Sequence, residues 1–205
     1  MKNTDILFCR KAVVNRLSET TAYYILHPSS TIKGRNTSFL SSLFVDVNLT
    51  EITQQKTIFF QSDLDELSAL PLQTNIHMVI FLDAGTLTEA HFEMLSERRL
   101  QGYQLGVINP KPDTTSVDLL NVFSYVMFSL DHLSIEDATS RIKHPFILSK
   151  NIWIDAIHSA EQFSSLQNLA SDGLFSGDFI HKVTLVKGKR ILAHKAILID
   201  LLAAL

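Results

Sequence analysis

Apolar positions along this chain fall into short runs that alternate with stretches of helical period. Residues 6–14 form the first run and 22–26 the second, with a polar, turn-like stretch over 15–21 between them. That pattern predicts a β-hairpin, ended by His27, Pro28, Ser29 and Ser30. Phe39, Leu40, Leu43, Phe44 and Val47 then recur at helical spacing. Residues 57–60, 77–82, 103–108, 125–128 and 151–157 read as strands, and 174–175 as a short last one. Between them lie helix signals. Ser62 is placed to cap a helix through Leu70, with Asp63 and Asp65 at its positive end. Thr86 and Glu89 make a capping-box pattern for a helix that Gly102 closes. Residues 116–123 are helical in pattern, Ser134 opens another helix near Asp137, and Ser159 with Gln162 opens one that stops at Asp172 and Gly173.

Strand-then-helix units in series imply a parallel sheet with crossover helices, either doubly wound or closed into a barrel. No Pro/Gly/Ser-rich linker interrupts residues 1–205, which predicts a single domain. The final stretch, 193–205, predicts a helix whose stripe of Ile197, Leu198, Leu201, Leu202 and Leu205 runs to the last residue. Such a stripe either docks on the body or leads into a further domain.

Composition narrows the function classes. A net charge of -3 gives no basic excess for nucleic acid. The single cysteine, Cys9, excludes an intramolecular disulfide and a Cys-rich zinc site, and reads as a small buried residue. No apolar run is long enough to span a bilayer and no apolar segment follows the first residues, so a cytoplasmic protein without a membrane partner is expected.

Few groups suggest chemistry. Asp63, Asp65 and Glu66 read as first-turn acids rather than a metal cluster. The 8 histidines show no metal-ligand spacing. Asp155 and His158 flank a strand end as a possible acid–base pair, which is the one enzymatic reading of the residues. Lys182, Lys187, Lys189, Arg190 and Lys195 form a local basic cluster, read chiefly as a solvated turn. No glycine-rich phosphate loop is present, and no resident cofactor is expected.

From Gly173 the chain runs Gly-Leu-Phe-Ser-Gly-Asp-Phe-Ile-His-Lys-Val, then Val186-Lys187-Gly188-Lys189 and the leucine-rich stretch. This resembles the close of EAL domains in bacterial proteins that join EAL to HDOD. Residues 8–13 and 22–26 resemble that family's opening hairpin, and Gly102-Tyr103-Gln104-Leu105-Gly106-Val107 the strand before its paired aspartates. The resemblance covers nearly the whole chain in strand order. It implies an α/β fold: a modified (β/α)8 TIM-like barrel with an antiparallel first strand.

EAL enzymes cleave cyclic-di-GMP with two divalent cations, which need hard oxygen ligands at the strand ends. By the resemblance, the Glu of the signature falls on Tyr24, an Asn ligand on Phe59, a Glu near Phe81, and the paired aspartates on Ile108 and Asn109. A later Lys-Ile-Asp strand falls near Phe128, Ser129 and Leu130. A following Glu becomes Asp155, the Lys after it Ala156, and a further Glu His158. The signatures are degenerate, so no catalytic, metal or cofactor residue is carried over.

The reading is therefore a catalytically inactive EAL-like domain, acting as a protein-interaction or regulatory module in bacterial cyclic-di-GMP-related signal transduction. Its expected partner is another protein or an attached HDOD domain, with a homodimer possible. A non-hydrolysing cyclic-di-GMP receptor is the alternative. An unrelated α/β enzyme using Asp155 and His158 is the third.

Overall fold

The structure is a computed structural model that describes residues 6–26, 53, 55–70, 77–169, 172–182 and 184–188. The hairpin forms as the pattern predicts. Strands β1 (Ile6–Val14) and β2 (Thr20–Leu26) pair antiparallel. Asn15 shapes their turn, its side-chain oxygen accepting the backbone N–H groups of Leu17 and Glu19. The helix expected around Phe39–Val47 and the terminal helix 193–205 lie outside the described residues.

The βα units then follow in order. They are β3 (Thr57–Gln61) and α1 (Leu64–Ala69), β4 (Met78–Asp83) and α2 (Phe92–Leu100), β5 (Gln104–Ile108) and α3 (Val117–Val122). After β6 (Tyr125–Ser129) come two helices, α4 (Ile135–Ile142) and α5 (Pro145–Leu148). The series ends with β7 (Asn151–Asp155), α6 (Ala160–Leu166), β8 (Leu174–Phe175) and β9 (Thr184–Gly188). Strands β2 to β8 are parallel neighbours in sequence order, and β1 pairs antiparallel with both β2 and β8. This closes an eight-stranded barrel, with β9 added antiparallel along β1. The apolar pattern predicts no strand beyond 174–175. The ninth carries polar Thr184 and Lys187 on five residues and lacks a long apolar run.

Closure buries the strands on both faces, which is why β4 reads as an unbroken apolar run. One side-chain set, including Ile58, Phe60, Ile80, Leu82, Val107 and Phe128, packs beneath the helices. The alternate set comes from seven different strands yet forms one cluster: Val13, Ala22, Tyr24, Phe59, Val79, Phe81, Ile108, Met127 and Trp153. Residues drawn from all round the ring can meet only inside it, so this cluster is the barrel interior.

Several helix starts follow their caps: Ser116, Ser134 and Ser159 each accept an N–H from the residue three positions on. Two differ from expectation by local chemistry. The cap of α1 is Asp63, which accepts from Glu66 N at 2.7 Å, because a carboxylate suits that position as well as the hydroxyl of Ser62. The expected Thr86–Glu89 box is instead Thr88–His91, where His91 Nδ1 accepts from Thr88 N. Asp83 and a short 3-10 turn over Ala84–Thr86 take up the intervening residues.

Candidate functional site at the barrel mouth

Parallel strands present their C-terminal ends on one rim, where βα connections build sites in this kind of barrel. The residues singled out by sequence come together there or just below. Tyr24, Phe59 and Phe81 are buried inside the ring with Trp153. Phe59 lies 5.3 Å from Phe81 and 5.1 Å from Trp153, and Trp153 lies 5.1 Å from Phe81 and 5.0 Å from Tyr24, centroid to centroid. Most of these pairs are edge-on, the arrangement aromatic quadrupoles favour. Hydrocarbon thus fills the barrel at this level.

Gly106 makes that filling possible. A Cβ at this position would lie 2.4 Å from Cε1 of Phe81, so the ring occupies space any other residue would claim.

Above the rings sits a small polar network. The Lys11 ammonium lies 3.0 Å from Oδ1 and 3.3 Å from Oδ2 of Asp155. Ser176 donates its hydroxyl to Asp155, and Trp153 Nε1 donates to Ser176 Oγ at 2.8 Å. The carboxylate is therefore charge-compensated and hydrogen-bonded, as a nearly buried ion must be. Tyr24 donates to Gln61 Oε1 at 3.2 Å. Burial pushes the Tyr24 phenol well above the usual tyrosine value, and the nearby Asp155 charge adds to the shift.

The remaining candidates have structural duties. Asn109 adopts φ 50° and its side-chain oxygen accepts the backbone N–H of Ser129 at 2.9 Å, tying β5 to β6. Ile108 joins the interior cluster. Ala156 is buried with φ 62°, in the left-handed region. The pairing of Asp155 with His158 does not form. His158 is bonded through Nε2 to Asp131 at 3.1 Å on the surface, while Asp155 turns inward to Lys11. Strand alternation explains this: Asp155 is the last residue of β7, and the chain leaves the sheet before His158.

Sequence reasoning missed four contributors. Lys11 lay inside a run read only as a strand, although a cation at an inward-facing position of that strand was a usable signal. Ser176 and Gln61 gave none, and Trp153 was read only as strand. The sequence also placed the end of β4 at Leu82, whereas the strand runs to Asp83 and so carries a carboxylate at its end. That side chain is exposed and caps the following turn, accepting from Gly85 N at 2.8 Å.

Among the described residues the donor set does not fit a two-cation centre. Among the described residues no three His, Cys, Asp or Glu side chains gather as a metal group. Of the described strand-end carboxylates, Asp155 already holds an ammonium and Asp83, exposed at the rim, caps the following turn. Among the described residues no helix is long and apolar enough to cross a membrane.

No protein-family model and no curated protein matches the chain. Solved structures do. The Bacillus subtilis YkuI protein, with an EAL domain and bound to cyclic-di-GMP and calcium, superposes with TM-score 0.56 at 13% identity, over 97% of this chain and 60% of that one. A standalone EAL protein from Vibrio cholerae O395, bound to cyclic-di-GMP, gives 0.62 at 11% identity, over 89% and 93%. This chain has the EAL-domain fold. Klebsiella pneumoniae BlrP1, in a manganese and cyclic-di-GMP complex, gives 0.63 at 12% identity, over 93% and 59%. The chain thus spans about three fifths of the length of YkuI and of BlrP1. The barrel with an antiparallel first strand, expected from the resemblance, is the EAL arrangement.

Proposed function

We propose that this chain is an EAL-fold domain of bacterial cyclic-di-GMP-related signalling that acts in the cytoplasm by holding a protein partner, without phosphodiesterase chemistry of its own. The observation that carries this reading is the interior of the barrel mouth. Aromatic rings fill the interior just below the rim, and the buried carboxylate beside them, Asp155, is paired with Lys11. A ring offers no lone pair to a hard cation. The partner is an appended HDOD domain or a separate protein of the same pathway.

A second reading keeps the nucleotide and drops only the chemistry: a non-hydrolysing receptor. It is favoured by the cyclic-di-GMP held by the EAL-fold neighbours. Calorimetric titration with cyclic-di-GMP in calcium buffer separates the two. The interaction-module reading predicts no saturable heat at micromolar ligand. Stoichiometric binding in that range would replace it with the receptor reading.

A further inference from the structure

The barrel is closed unevenly. Strands β4 and β5 share five register pairs, as do β6 and β7. The last closure, between β8 and β1, rests on a single described pair, Val14 with Phe175. Along that edge of β1 the described register jumps from Val14 to Arg10, where β9 takes over. Two-residue β8 cannot supply a longer ladder.

On its other side β8 is firmly held. It pairs with β7 through Trp153–Leu174 and Ile154–Phe175. The chain beyond it continues the attachment, with Ile157 N donating to Ser176 O and Phe179 N to Ile157 O. Gly177 lies so close to Ile157 that an added Cβ would sit 2.2 Å from its carbonyl oxygen. The weak line in the ring is therefore β8 against β1.

The Lys11 ion pair crosses this line. Lys11 stands on β1 opposite the gap in the register, and Asp155 stands on β7, one strand beyond β8. Ser176, immediately after β8, binds the same carboxylate. Side chains thus join three successive strands where backbone pairing is sparse.

We propose that Lys11, Asp155 and Ser176 form a latch that keeps the barrel shut along the β8–β1 seam, and that this seam is where the barrel opens first. Opening there leaves β3 to β7 paired and carries β1 away with β9, uncovering the ring cluster from one side. The latch is independent of whether the domain binds nucleotide or protein.

Hydrogen exchange read by mass spectrometry on the whole chain tests this. In the unaltered protein, amides of residues 11–14 and 174–176 are expected to exchange faster than those of β4 and β5. Lys11→Met, which keeps the aliphatic stem, should accelerate the seam by about tenfold or more beyond any acceleration of β4 and β5. Lys11→Arg should hold the seam near its original rate. Equal protection of seam and β4–β5 in the unaltered protein would overturn the proposal, whatever the variants do. So would a Lys11→Met acceleration shared equally by all strands, since that is plain loss of stability.

Discussion

The ring of Phe81 lies where a side chain on Gly106 would have to be, with 2.4 Å between the ring's Cε1 and the position of a Cβ. Phe81 and Gly106 are register partners on β4 and β5, and the rings of Phe59 and Trp153 pack against Phe81. Large and small residues here are matched across adjacent strands, and the fit of the interior depends on both.

Gly106→Ala should therefore destabilise the protein by about 1–3 kcal/mol, the usual range for overpacking a filled core. Gly106→Ala combined with Phe81→Leu should recover part of the loss, because the shorter side chain frees the space. Urea unfolding of the two variants measures both values. Additive destabilisation would show that the ring and the glycine are not coupled.

Lys11 and Asp155 are a nearly buried pair, and breaking one partner leaves the other charge stranded. Lys11→Met alone should cost about 3–5 kcal/mol. The double change Lys11→Met with Asp155→Leu should cost less than Lys11→Met alone, since it leaves no unpaired charge. A double-mutant cycle by denaturant unfolding gives the coupling directly.

Tyr24 gives a pH dependence whose sign is fixed. Its phenol is held above the ordinary value of 10.0 in the folded state, by burial first and by the Asp155 charge second. The unfolded chain therefore releases this proton at lower pH than the folded one. The contribution is fully present below pH 10.0 and is lost as pH rises above it. Burial raises Tyr103 and Tyr125 in the same direction, so Tyr24→Phe should reduce the steepness of the alkaline loss without abolishing it. Thermal unfolding followed across the alkaline range reads this. An unchanged slope in Tyr24→Phe would contradict the assignment.

Most of the barrel was legible because its strands carry apolar runs and its helices carry serine caps. Residues 77–82 and 125–128 announce strands buried on both faces, and Ser116, Ser134 and Ser159 announce helix starts. Strand β9 was not legible, since an edge strand need not be apolar along its length. The aromatic residues were legible as residue types, but their packing was not: Phe81 and Trp153 are 72 positions apart in the chain and 5.1 Å apart, ring centroid to ring centroid. Lys11 and Asp155 are separated by 144 positions, and only closure of the ring sets them 3.0 Å apart. The acid–base reading of Asp155 and His158 fails for a local reason, because two residues near in sequence part where the strand ends.

On the proposed reading, hydrocarbon and a tethered ammonium stand where oxygen ligands would grip catalytic cations. Incubation of the purified chain with cyclic-di-GMP and manganese, with products separated by chromatography, tests it most directly. The nucleotide is expected to be recovered intact, at the level of a protein-free control. Manganese-dependent appearance of the linear dinucleotide, scaling with protein concentration, would contradict it.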